Sequence, residues 1–264
     1  MSTATPIPVR SPLPGALSGT TAVLIGGSSG IGLAAGVLLR SVGARVVLVG
    51  RDPDRLKAAV SRVRSASPAG DPGDAVLEVS GDGGDEQTLA EAFDEAGHAD
   101  HVLVTAGGIS GAGPLTGLSA DDIRATLDSR LWAAFAAARA AAARLPAGGS
   151  LTFSSGIRVV RPAPGMAAPL SVAGAVETLT RALAVELAPA RLRVNTVRFG
   201  RIDTPLLRSL PGLDSDDAMA AAGSTAPLGR FGTAEEAAAS ALFLMANNYI
   251  TGQVITVDGG ETLV

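Results

Sequence analysis

The stretch Thr21-Ala22-Val23-Leu24-Ile25-Gly26-Gly27-Ser28-Ser29-Gly30-Ile31-Gly32 decides the fold. An apolar run ends in glycines and serines, and an apolar, helix-forming stretch over residues 31–42 follows, so the order is strand, tight turn, helix. Glycines let the backbone turn sharply and come close to a pyrophosphate, which then rests on the amides and the positive dipole end of the helix. Outward from this point, short β-branched runs alternate with longer Ala-rich stretches, the pattern of a parallel sheet covered on both faces. Strands are expected at 21–26, 45–49, 75–79, 101–105, 150–154, 193–197 and 253–257. Helices are expected near 31–42, 53–64, 85–96, 120–145, 170–188 and 233–246.

The Gly26-x-x-x-Gly30-x-Gly32 spacing resembles that of the short-chain dehydrogenase/reductases, and the likeness runs over nearly the whole chain from about Leu17. Ala106-Gly107, after the fourth strand, stands where that family has Asn-Asn-Ala-Gly, with Val104 and Thr105 replacing the asparagines. Residues 193–205, RVNTVRFGRIDTP, are similar to the family's RVNxVxPGxxxTP with Phe199 in place of proline, and YITGQVITVDGG is similar to its last strand. The resemblance implies an α/β chain with a single Rossmann-type, doubly wound domain: a seven-stranded parallel sheet with helices on both faces. It assigns cofactor contacts to Gly26, Ser28, Ser29, Gly30, Ile31 and Gly32 in the first turn. It adds Asp82 and Gly83 near the adenine, Ala106 and Gly107 after strand four, and Gly200, Ile202 and Thr204 after strand six.

The second strand ends Val49-Gly50-Arg51-Asp52. NAD-preferring relatives carry an acidic residue where Gly50 stands; the guanidinium of Arg51 suits the 2′-phosphate of NADP instead. NADP(H) is the expected cofactor.

The family's catalytic set is an asparagine on the fourth helix, a serine after strand five, and Tyr-x-x-x-Lys. Here Ser155 ends strand five and is expected to polarise the acceptor, Arg130 stands at the asparagine position, and Pro169 and Ala173 replace the tyrosine and lysine. The loss does not depend on alignment, because the only tyrosine is Tyr249 and the only lysine Lys57, neither near the motif. Arg130, Arg158, Arg161, Arg198 and Arg201 fall at or beyond the carboxyl ends of strands that line the family's site, with Arg130, Arg158 and Arg161 the catalytic candidates beside Ser155. Arginine stays protonated, so it stabilises an oxyanion or clamps an anionic substrate and does not serve as the acid. With twenty arginines to one lysine, some of the five are ordinary surface charges.

Composition narrows the classes. The 264 residues are 47% hydrophobic with a net charge of −4, enough for one sizeable core and without the basic bias of a nucleic-acid binder. No cysteine is present, and His98 and His101 alone make no zinc site, so no metal is expected. No apolar run approaches the ~18 residues of a membrane span, and the start has no signal-peptide core, which points to a cytoplasmic protein with no membrane partner. Residues 1–18, rich in Pro, Ser and Thr, read as a flexible tail, 19–264 as the dinucleotide-binding domain, and about 205–228 as a substrate loop. The Ala-rich helices resemble the family's subunit-packing helices, which implies a homodimer or homotetramer.

The expected activity is an NADP(H)-dependent oxidoreductase with a non-standard proton path, acting on a small molecule with an activated carbonyl, enone or related group. The alternatives are a non-redox isomerase, lyase or cyclase in the same pocket, and a non-catalytic NADP-binding protein.

Overall fold

The structure, a computed structural model, describes residues 15–68, 75–108 and 110–264. Seven parallel strands make the central sheet: β1 (Thr21–Ile25), β2 (Arg45–Gly50), β3 (Val76–Ser80), β4 (His101–Val104), β5 (Ser150–Gly156), β6 (Arg193–Phe199) and β9 (Val254–Val257). Their order is β3-β2-β1-β4-β5-β6-β9. The order of strand addition therefore reverses between β1 and β4, and the crevice at that switch point opens at the carboxyl ends of the strands.

Alternation along the strands sorts the core into two layers. Val23 and Ile25 of β1 face one side with Val102, Val104, Leu151 and Phe153. Against them pack α3 (Glu86–Ala96), α5 (Ala133–Arg144) and α6 (Ala167–Glu186), through Leu89, Phe93, Ala137, Val176 and Leu183. Ala22 and Leu24 face the other side with Val46, Leu48 and Leu103. There α1 (Gly30–Ser41), α2 (Pro53–Arg64) and α9 (Ala234–Ala246) contribute Ala35, Leu39, Leu56, Val60, Ala238 and Met245. Alanine at so many helix positions lets the helices lie close on the sheet.

Three expectations change. The helix expected at 120–145 is broken: α4 (Ala120–Leu127) passes through a π turn (Asp128–Trp132) into α5. The connection at 205–228 holds α7 (Pro205–Arg208) and α8 (Asp216–Gly223), each started by a side-chain cap, Thr204 Oγ1 accepting from the Leu207 amide and Ser215 Oγ from the Ala218 amide. It is flanked by a two-strand ladder of β7 (Ile202–Asp203) and β8 (Gly232–Thr233). Most of the expected tail lies outside the described residues, but Gly15–Leu17 forms a helical turn that buries Leu17, so the domain starts earlier than residue 19. Among the described residues no helix is long and apolar enough to cross a membrane.

Candidate active site

The β1–α1 turn is shaped by what cannot fit in it. Gly26 has φ +95°, and a Cβ there would lie 2.6 Å from the Ala106 amide nitrogen; a Cβ on Gly32 would lie 2.3 Å from the Gly26 carbonyl oxygen. Thr105, standing where the family has asparagine, directs its hydroxyl to the Gly26 carbonyl at 3.3 Å and ties the end of β4 to this turn. Gly30, φ +51°, begins α1 beneath Thr204, whose Cγ2 would be 3.4 Å from an added Cβ. The Ser29 hydroxyl, at the N-cap, makes no capping bond. Gly26, Ser28, Ser29, Gly30, Ile31 and Gly32 thus form an open, amide-lined cradle with the 200–204 turn across from it, and this fits a pyrophosphate.

At the end of β2, a Cβ on Gly50 would lie 2.8 Å from Ser28 Oγ. The serine hydroxyl occupies the space that an acidic side chain at position 50 would need. Arg51 is exposed and stands 3.9 Å from Asp82, itself exposed after β3. Gly83 lies against Ile25, where a Cβ would be 2.4 Å from Cγ2.

Ser155 is buried and its hydroxyl donates to Glu177 Oε1 at 2.8 Å. Glu177, buried on α6, also takes Arg198 Nε at 2.8 Å and Nη2 at 2.5 Å. The hydrogen bonds to Glu177 raise the Arg198 pKa, outweighing its partial burial. The Ser155 proton is directed at a carboxylate, a stronger acceptor than a neutral carbonyl.

The other arginines separate by partner. Arg201 Nε donates to Glu261 Oε2 at 2.6 Å, its amide donates to Oε1 at 2.9 Å, and its guanidinium lies 4.6 Å from the Phe231 ring centre. Arg161 donates to the Glu261 carbonyl. Arg158 is exposed in the turn after β5. Arg130 projects from the π turn, a distortion that recurs at functional sites. It packs along Gly107, where an added Cβ would meet its Nε at 3.3 Å and its Cγ at 3.5 Å. Part of its surface stays open, yet it is deep enough in protein that burial pushes its pKa down. Among the described residues it has no hydrogen-bond or ion-pair partner.

Pro169 and Ala173 are both buried on α6 and offer no titratable group. Tyr249 is fully exposed and Lys57 is exposed on α2, beside Asp54. Glu177 and Glu261 were not singled out as site residues by sequence reasoning. An acidic residue inside the apolar pattern of α6 was a legible signal for Glu177; for Glu261 there was none. Among the described residues no group of acids and histidines could hold a metal.

Sheet order, switch-point crevice and glycine cradle define a protein that binds a nicotinamide dinucleotide. The family model described as enoyl-(acyl carrier protein) reductase matches residues 26–262. The chain belongs to the short-chain dehydrogenase/reductase family of oxidoreductases. Carbonyl reductase family member 4 of Danio rerio is 34% identical over 247 residues, 92% of this chain and 98% of that protein. The structure of MalC reductase/Diels-Alderase from Malbranchea aurantiaca superposes with a TM-score of 0.86 at 29% identity, covering 95% of this chain and 99% of that one. L-sorbose reductase from Gluconobacter frateurii, complexed with NADPH and L-sorbose, gives 0.81 at 28% identity, covering 94% and 98%.

Proposed function

We propose that this protein is an NADP(H)-dependent oxidoreductase that reduces an activated acceptor, an enone, conjugated carbonyl or iminium, without a side-chain acid at the usual place. The observation that carries the reading is the pairing of an intact cradle, closed to any Cβ at Gly26 and Gly32, with Pro169 and Ala173 where the family's tyrosine and lysine stand. Bound NADPH would supply a hydride. Gly26, Ser28, Ser29, Gly30, Ile31 and Gly32 would hold its pyrophosphate, Arg51 its 2′-phosphate, Asp82 and Gly83 its adenine end. Ala106, Gly107, Gly200, Ile202 and Thr204 would hold its nicotinamide half. The Ser28 hydroxyl over Gly50 supports NADP, since it closes the place of an acidic ribose reader.

Alignment of donor and acceptor is worth about 7–11 kcal/mol and needs no tyrosine. A positioned acid adds about 10²–10⁴-fold. A conjugated or cationic acceptor dispenses with most of that second factor. Hydride addition to an enone leaves a delocalised enolate that would take its proton from water afterwards, and addition to an iminium gives a neutral amine. Arg130 takes the charge-stabilising role, while Ser155 acts through Glu177 and Arg158 and Arg161 stay at the rim.

The test is NADPH oxidation with a matched enone and saturated ketone. Faster turnover of the enone supports the reading; equal or faster turnover of the ketone means that another group delivers the proton. One finding favours a second reading, a cyclase in the same pocket: the MalC reductase/Diels-Alderase is similar over nearly its full length. Product formation without NADPH consumption would select it. Exposed Leu127, Phe135 and Val185 on α4, α5 and α6 support a homodimer or homotetramer.

A further inference from the structure

We infer that Arg130 is the seat of a fixed carboxylate on the substrate. This deepens the functional reading and rests on its giving Arg130 the charge-stabilising role in the pocket.

Four other guanidiniums near the carboxyl edge have carboxylate partners, while Arg158, which has none among the described residues, is exposed to water and Arg161 donates to a backbone carbonyl. Arg198 has Glu177, Arg201 has Glu261, Arg208 has Asp203 and Asp216, and Arg51 has Asp82. The chain is not short of acids, with 25 Asp and Glu to 21 Lys and Arg. Asp128, two residues away on the same π turn, is exposed and does not pair with Arg130. A cation drawn out of water without a counter-charge is costly in the empty protein, and an anion brought by a ligand recovers that cost. Gly107 is part of the arrangement: its missing side chain leaves the lane in which the Arg130 stem lies. The guanidinium fork matches a carboxylate in two parallel bonds, a geometry that a neutral carbonyl cannot use fully. A group charged in the ground state also differs from a transient oxyanion in its kinetic signature. Its loss raises KM, whereas losing a transition-state contact lowers kcat.

The cofactor is the other source of anions, and its phosphates belong to the β1–α1 cradle and Arg51. The experiment therefore measures both. Protein saturated with NADPH is titrated calorimetrically with crotonate, cyclohexanecarboxylate and benzoate, each against its methyl ester, and NADPH affinity is measured separately. The only tryptophan, Trp132, lies two residues from Arg130 with its Nε1 bonded to the Gly84 carbonyl at 2.9 Å, and gives a second readout by fluorescence. At least one carboxylate is expected to bind about ten- to a hundredfold tighter than its ester. That preference should vanish in Arg130→Leu and partly return in Arg130→Lys, with NADPH affinity unchanged in both. Carboxylates that bind no better than their esters, a preference that survives in Arg130→Leu, or a loss of NADPH affinity in that variant would each overturn the inference. No turnover is read, so an absence of reduction counts against the functional proposal and leaves this one standing.

Discussion

Arg198 grips the buried Glu177 carboxylate with two nitrogens, Nε at 2.8 Å and Nη2 at 2.5 Å, and so joins β6 to α6 directly behind the strand end that carries Ser155. Removing one partner strands the other charge in a place with little water. Glu177→Ala is expected to cost about 3–5 kcal/mol of stability, read by urea unfolding, with Glu177→Gln in between.

Ser155→Ala should lose about 1.5–3 kcal/mol, the range of a hydrogen bond to a charged group, while turnover stays within about tenfold of wild type. A fall of about 10²–10³ in turnover at unchanged stability would show that the hydroxyl serves the acceptor and not Glu177.

Arg51→Ala is expected to lower the ratio of NADPH to NADH affinity by roughly ten- to a hundredfold. Because Arg51 is largely exposed, the wild-type preference should also shrink as salt rises. Calorimetric titration of both cofactors at two salt concentrations checks both statements, and an unchanged ratio in the variant would remove Arg51 from the site.

Gly32→Ala places a methyl group 2.3 Å from the Gly26 carbonyl oxygen. The turn must open, and the strain is expected to cost about 1–3 kcal/mol together with most of the NADPH affinity. Thermal unfolding with and without NADPH measures both, and a variant still stabilised by the cofactor as strongly as wild type would contradict the close fit of the cradle.

The pH dependence has a clear sign. Hydrogen bonds from Arg230 and the Thr233 amide hold the Glu236 carboxyl down at about 2, below its usual 4.5. A carboxylate depressed in the folded state contributes stability above its unfolded pKa and loses it as pH falls toward the folded one. Glu236→Gln should therefore be less stable than wild type at pH 6, with the gap closing between about pH 4.5 and pH 2 in unfolding curves. Glu236 and Arg230 are substantially exposed, so the effect is small and falls with salt. A constant gap across that range would mean that the pair contributes nothing.

Sheet and helices were legible because each obeys one period along its length. Five of the seven strand starts agree with the expected positions and the other two, β3 and β9, fall one residue later, since β-branched runs bounded by Gly, Ser and Asp leave little freedom. The glycine turn was legible for the same local reason. Partners across space were not. That Ser155 faces Glu177, or that Arg201 is taken by Glu261, depends on which helix face and which turn come together, and 22 or 60 residues of separation carry no such pattern. The arginines at the strand ends were visible as a group, but which of them is drawn partly out of water without a counter-charge was decided only by the fold. The π turn at Arg130 escaped because Asp128-Ser129-Arg130-Leu131-Trp132 holds no Gly or Pro to mark a break in the helix.

That turn has a consequence for how the chain can change. One surplus residue in an α-helix shifts everything beyond it by about 100°, so α4 and α5 are two gears meshed a tooth apart. Deleting any residue of Asp128–Trp132 would heal the backbone ladder but rotate one half against the other. Either Thr126 would leave its buried seat, or Ala133, Ala137 and Ala141 would turn off the sheet and bring bulk such as Phe135 toward it. Substitution at position 130 is therefore open while deletion is closed. Exchange of that side chain changes the chemistry offered at the turn, whereas loss of the residue changes the fold.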